Sequence, residues 1–77
     1  MKVGIIFGSA SSEHDVSVVS ASNIIKNLNK KKYDIYPIYL DKTNEWYEVI
    51  DSIKKIENYK FGELPNDTKM INNVFKY

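Results

Sequence analysis

The chain opens with an apolar run from Val3 to Phe7 that breaks at Gly8 into a small polar loop, Ser9 to Ser12. In the segment that follows, Val16, Val19, Ile24, Ile25 and Leu28 recur with a period of about 3.6. A short β-branched and aromatic run closed by a turn residue predicts a strand, and the periodic stretch predicts a helix. Apart from Gly4, the first strand is apolar throughout, as expected of a parallel strand covered on both faces, and Gly4 reads as a point of close backbone approach. The helix is expected to start near Ser12 or Glu13. Ser12 is the candidate cap, Ser12 and Asp15 match a capping box, and the acids Glu13 and Asp15 suit the positive helix end. Asn27 and Asn29 offer an αL-tolerant residue where the helix stops, and Lys30, Lys31 and Lys32 read as its solvated end.

A second strand is predicted from Tyr33 to Leu40, again apolar on both faces, with Pro37 arguing for an edge strand or a local bulge. Strand, helix and strand joined by short connections make a βαβ unit with parallel strands. Asp41 to Asn44 form a turn, and Glu45 to Ile50, with Trp46 and Tyr47, is a third short strand, antiparallel to the second. Beyond Asp51 the pattern weakens. Ile53, Ile56 and Tyr59 suit a short amphipathic helix, Gly62, Pro65, Asn66 and Asp67 break the chain, and Met70 to Tyr77 fits helix and strand equally well. The fold class is α/β: a partial Rossmann-like βαβ unit plus a short antiparallel hairpin strand. Residues 1–77 read as a single partial domain with its core in 1–50 and a weakly determined extension in 51–77.

Length and charge narrow the function. At 77 residues the chain buries little apolar surface, so marginal stability and self-association through an exposed sheet face or edge are expected. Eleven basic residues face ten acidic ones, and every base is lysine. A net charge of +1 without arginine argues against nucleic acid and anionic membranes as partners. The absence of cysteine excludes disulfides, thiolate zinc and cysteine catalysis, and it fits a cytoplasmic location. No apolar run is long enough for a signal-peptide core or a membrane span.

The loop between the first strand and the helix is where ligands commonly sit in α/β proteins. Gly8 alone satisfies neither G-x-G-x-x-G nor G-x-x-x-x-G-K-[ST], and Glu13 and Asp15 would repel a phosphate at that helix end. A carboxylate there suits a substrate ammonium instead, so Glu13 reads as one wall of an amine pocket; the plainer alternative is that it only completes the cap and dipole arrangement. His14, the only histidine, has no second metal ligand at i+4 and reads as structural or surface. Ser17, Ser20 and Ser22 read as small residues easing helix packing, and Tyr36, Tyr39 and Trp46 as core or hairpin packing.

Phe7-Gly8, Ser12-Glu13-His14-Asp15-Val16-Ser17, Ser20-Ala21, Tyr33 through Pro37-Ile38, Asp41 and Trp46-Tyr47 follow one another in a telling order. They resemble the F-G-G, S-x-E-H-E-V-S, S-A, Y-x-V-x-P-I, I-D and G-x-W-Y motifs of the N-terminal domain of D-alanine:D-alanine ligases, the ATP-grasp enzymes of peptidoglycan precursor synthesis. The resemblance covers roughly residues 3–50, and its E-H-[DE]-V-S element is the specific part. It implies a pre-ATP-grasp fold, with Glu13 as the catalytic-site residue that binds the ammonium of the first D-alanine and Gly8, Ser9 and Ser17 as further substrate-binding residues. Ser9 departs from the family's second glycine and Asp15 from its second glutamate. The resemblance further implies ATP and magnesium for the whole enzyme and the ATP-grasp domains as partners, with no cofactor and no catalysis expected in this chain alone. D-lactate and D-serine ligases share these motifs, so the second substrate stays open. A free-standing α/β binding or interaction module is the alternative, since βαβ units host many functions.

Overall fold

The computed structural model describes residues 1–71. The first apolar run forms β1 (Lys2–Gly8), the periodic stretch α1 (His14–Asn27), and the next two runs β2 (Asp34–Leu40) and β3 (Trp46–Val49). A single helical turn, α2 (Ile53–Ile56), and a short strand, β4 (Thr68–Met70), follow. The four strands make one sheet in the order β1-β2-β3-β4, with β1 and β2 parallel and the other two pairs antiparallel. The α/β reading therefore stands. The strand beginning at Thr68 is not separable from helix in the sequence, and most of the expected Met70 to Tyr77 segment lies outside the described residues.

One face of the sheet is covered. Val18, Ala21 and Ile25 of α1 and Ile56 of α2 pack with Phe7, Tyr39, Val49 and Tyr59, and Val18, Ile25 and Ile56 are fully buried. The α1 face that does this also includes His14 and Ser22 and differs from the predicted one: Val16 and Ile24 are exposed. The helix carries apolar residues on two flanks, and only one of them meets the sheet. Ser22 Oγ donates to the Glu57 carbonyl at 2.6 Å, and Lys30 Nζ pairs with Glu57 Oε2 at 2.6 Å, so α1 and the end of α2 are held together by polar contacts as well.

Several sequence expectations need correction. The opposite sheet face is not covered: Ile6 is 56% exposed and Tyr36 43%. Gly4 lies exposed, and a Cβ there would meet nothing within 4 Å, so it marks no close approach. Pro37 sits in an interior strand. Asp34 N–H donates to Met1 C=O, so residues 34, 36, 38 and 40 of β2 present their N–H groups to β1 and Pro37 points its missing donor the other way. On that side the paired residues of β2 and β3 run from Ile38, so Pro37 falls just past the end of that ladder. Helix α1 ends through Leu28 in an extended conformation (φ −76°, ψ 144°), without a left-handed asparagine. The left-handed asparagine is Asn44, at φ 66° in the β2–β3 turn, where Asp41 Oδ1 accepts from Thr43 N, Thr43 Oγ1 and Glu45 N. Among the described residues no helix is long and apolar enough to cross a membrane.

The weakly patterned region is organised by Asp51, which sequence reasoning passed over. Its carboxylate accepts from the Tyr59 hydroxyl and from the backbone N–H groups of Asn66 and Asp67 at 3.0 and 3.1 Å, tying α2 to the approach of β4. Burial opposes its ionisation, but the Tyr59 hydroxyl and these N–H groups, with Lys55 nearby, outweigh that and hold its carboxyl below the ordinary 3.8. Burial and the Asp51 carboxylate push the Tyr59 hydroxyl up, so it stays a donor. A carboxyl held low in the folded state contributes stability above its unfolded value, and that contribution is lost as pH falls through the folded one. Asp51→Asn is therefore expected to lower the melting temperature near neutrality. It should also flatten the fall in melting temperature as pH drops through and below the ordinary carboxyl range, a comparison that circular dichroism melts of the two chains provide.

Candidate functional site

The site is built on the turn between β1 and α1. Gly8 has φ 100°, and a Cβ there would run into the Leu40 carbonyl and come within 2.7 Å of the Tyr39 ring. The glycine is thus demanded twice, by backbone conformation and by the closeness of β2. Ser9, next along, has φ 91°, a conformation that a residue with a Cβ adopts only under strain, and its N–H donates to Leu40 C=O at 2.6 Å. The position that the sequence resemblance assigns to a second glycine is conformationally a glycine position.

Ser17 reaches back from α1 to this turn. Its Oγ accepts from Gly8 N–H at 2.8 Å and lies within donating distance of His14 C=O (2.8 Å) and Gly8 C=O (3.2 Å). Gly8 and Ser17 are thus brought together, but their polar groups are engaged with each other. Both frame the turn, and the Gly8 N–H already has a partner.

The expected Ser12 cap does not form. Helix α1 begins at His14 with Glu13 in the cap position, and no side chain caps it in the usual sense. Ser11 does that work from outside: its Oγ accepts from Glu13 N–H and its carbonyl from His14 N–H, each at 3.2 Å. The Ser12/Asp15 capping box is likewise absent, because Asp15 turns to His14. Glu13 is exposed, and among the described residues its carboxylate holds no hydrogen bond or ion pair. It borders a groove of about 300 Å³ with Ile5, Ile6, Val16, Ser17 and Ser20, at the flank of α1 that the sheet leaves uncovered.

The opposite flank carries a network that the sequence did not disclose. His14 is 5% exposed; its Nδ1 lies 3.0 Å from Asp15 Oδ1 and its Nε2 2.6 Å from the Tyr39 hydroxyl. Burial first, then the Asp41 and Asp15 carboxylates, push the Tyr39 hydroxyl above its ordinary 10.0, so it remains protonated. The Asp15 carboxylate can only accept, from Nδ1–H, and a neutral ring then accepts from the Tyr39 hydroxyl at Nε2. His14, Asp15, Tyr39 and Asp41 border an open cavity of about 610 Å³ whose lining also includes Leu64 and Pro65. The Thr43 hydroxyl above all, and after it the backbone N–H groups of Glu45 and Thr43, hold the Asp41 carboxyl below the ordinary range despite some burial. Of the two readings of His14, structural or surface, its burial excludes the surface one, and Tyr39 joins the core as expected. Among the described residues no group of three or more histidine, cysteine or acidic side chains is arranged to hold a metal ion.

A family model described as the D-ala D-ala ligase N-terminus matches residues 2–74. The chain is 48% identical over 66 residues to a D-alanine--D-alanine ligase of Clostridium novyi, a match covering 86% of this chain and 18% of that protein. A D-alanine--D-alanine ligase of Thermosipho melanesiensis is 33% identical over 73 residues, 92% of this chain and 20% of that protein. Two solved structures share the fold. One is the VanG D-Ala:D-Ser ligase from Enterococcus faecalis, with TM-score 0.66 and 42% identity over 74% of this chain and 17% of that one. The other is the D-alanine-D-alanine ligase from Coxiella burnetii, with TM-score 0.68 and 30% identity over 77% of this chain and 17% of that one. The chain spans about a fifth of the length of these curated relatives.

The strain at Ser9 is testable. Ser9→Gly is expected to stabilise the chain by about 1 kcal/mol, since a left-handed non-glycine residue costs roughly that much or more, and the Ser9 hydroxyl bonds only to Ser11, at the exposed surface. Ser9→Ala keeps the strain, loses the hydroxyl and is expected to melt lower than the parent chain. Thermal melts of the three chains decide the order.

Proposed function

Since the chain belongs to the D-alanine–D-alanine ligase family, matching its N-terminal segment, we propose that it holds the first D-alanine for a cytoplasmic ATP-dependent ligase of cell-wall precursor synthesis, with Glu13 as the ammonium contact. The observation that carries this reading is the carboxylate of Glu13. It stands at a helix start without capping it, faces a groove, and is exposed without a partner among the described residues. A capping acid would be occupied; this one is available to a cation.

In the reaction, the carboxylate of one D-alanine is phosphorylated by ATP, and the amine of the second displaces phosphate to form the peptide bond. Glu13 contributes by orientation: with the ammonium fixed on the carboxylate, the other end of the amino acid is directed toward the phosphoryl donor. The backbone N–H of Gly8 is engaged by Ser17, so Gly8, Ser9 and Ser17 serve by shaping the turn that launches Glu13. Nucleotide and magnesium are assigned to the remainder of a whole ligase, because Glu13 and Asp15 oppose phosphate at this helix end. Relatives whose names differ in the second substrate, D-Ala:D-Ser and D-alanine-D-alanine ligases, share the fold of this segment. That supports a role at the substrate their names have in common, D-alanine.

The test uses a ligase in which this segment replaces the matching one of the Clostridium novyi enzyme. Unaltered, it is expected to release phosphate from ATP in a D-alanine-dependent manner, and silence would sink the reading. Glu13→Gln loses a charge-assisted hydrogen bond of about 1.5–3 kcal/mol and is expected to raise the KM for the first D-alanine roughly ten- to a hundredfold, leaving the KM for ATP unchanged. A lower melting temperature with an unmoved D-alanine KM would assign Glu13 to the helix end alone.

The uncovered sheet face with Ile6 and Tyr36 supports self-association of the isolated chain. Sedimentation at tens of micromolar is expected to show species larger than the monomer, and Ile6→Lys to reduce them.

A further inference from the structure

We propose that His14 and Tyr39 are positioning residues for Glu13, and that their hydrogen bond sets the direction in which the first turn of α1 presents the substrate-binding carboxylate. The inference rests on the reading of Glu13 as the ammonium contact and adds to it the parts that aim it.

A helix start without a side-chain cap has orphan N–H groups and frays readily. Here the start is held by Ser11 at bonds of 3.2 Å from an exposed loop and by Ser17 on Gly8. Those bonds hold the backbone of the turn. His14 adds the buried side chain at the helix start itself. It is the first helical residue, it is buried, and its ring enters the core edge-on to Tyr39 with centroids 5.6 Å apart. Tyr39 is itself fixed by Phe7, whose ring centroid lies 5.5 Å away, and by the parallel pairing of β2 with β1.

The ring is oriented at both nitrogens. Asp15 engages Nδ1, which leaves Nε2 as an acceptor at 2.6 Å from the Tyr39 hydroxyl. Glu13 immediately precedes His14 in the cap position, and with residue 14 pinned on the cavity side residue 13 lies on the other flank. Glu13 accordingly borders the groove of about 300 Å³ on the other flank and not the cavity of about 610 Å³ that His14 and Asp15 line.

The exchange ligase carries the test. Tyr39→Phe removes only the hydroxyl and keeps the ring against Phe7. Assayed well below its melting temperature, it is expected to raise the KM for the first D-alanine about tenfold while the KM for ATP stays put. His14→Gln, which retains an acceptor for the hydroxyl, is expected to lose less than His14→Ala. In the Glu13→Gln background Tyr39→Phe should add nothing further, because there is no charge left to aim. A Tyr39→Phe ligase that melts lower but keeps its D-alanine KM would overturn the inference and leave the Glu13 reading intact. So would a full tenfold loss added on top of Glu13→Gln. If Tyr39→Phe does not fold, the comparison of His14→Gln with His14→Ala decides alone: equal D-alanine KM values for the two overturn the positioning role. If instead Glu13→Gln leaves D-alanine binding unmoved, the reading of Glu13 itself fails, whatever the His14 and Tyr39 variants do.

Discussion

The close approach of the ends of β1 and β2 is the constraint on which the rest depends. Gly8 is in contact distance of the Leu40 carbonyl and the Tyr39 ring, and the next N–H, that of Ser9, closes on Leu40 C=O. A side chain at residue 8 would force the two parallel strands apart at the point where both end. The tight turn that results leaves the polar loop only one way to go, back across the sheet. Ser17 then fastens the returning helix to the same glycine. From that fixed start, Val18, Ala21 and Ile25 fall onto Phe7 and Tyr39 and close the core.

Much of this was legible in the sequence because it is governed by local pattern. Strand, turn and helix around Gly8, the parallel partner from residue 34 and the hairpin after Asp41 each follow from periodicity and turn chemistry within a dozen residues. What was not legible is governed by tertiary position. Val16 and Ile24 are as apolar as Val18 and Ile25, and nothing local says which pair faces the sheet; the register set by the Ser17–Gly8 contact does. Pro37 is tolerated in an interior strand because its missing donor points away from β1 and lies just past the last β2–β3 pair, a fact of register and not of composition. The contact between His14 and Tyr39 spans 25 residues, and no spacing rule reaches that far.

The site was legible in part. Glu13 was marked by its type and place, and the structure adds that its carboxylate is spared from capping because Ser11, two residues earlier, supplies the bonds that Ser12 was expected to make. Asp15 was read as one member of a capping box, and it instead orients the His14 ring. The mismatch has one cause. A capping box is a local device for a helix that must be stable on its own, whereas this helix is anchored at its first residue by a long-range bond into the sheet.

That substitution of a long-range anchor for a local cap has a cost and a consequence. Locally the turn is strained at Ser9, a non-glycine residue with positive φ, and the cap position is filled by an acid whose side chain does not cap. Natural sequences break local rules chiefly where function needs the geometry. Had Ser12 or Asp15 capped α1 in the usual way, the same helix start could have been stable without His14, but the carboxylate at residue 13 would have stood beside a competing cap and been free to turn. Anchoring through the buried ring of residue 14 leaves residue 13 both uncommitted and directed. Those are the two properties that a carboxylate needs if it is to meet an ammonium without rearranging.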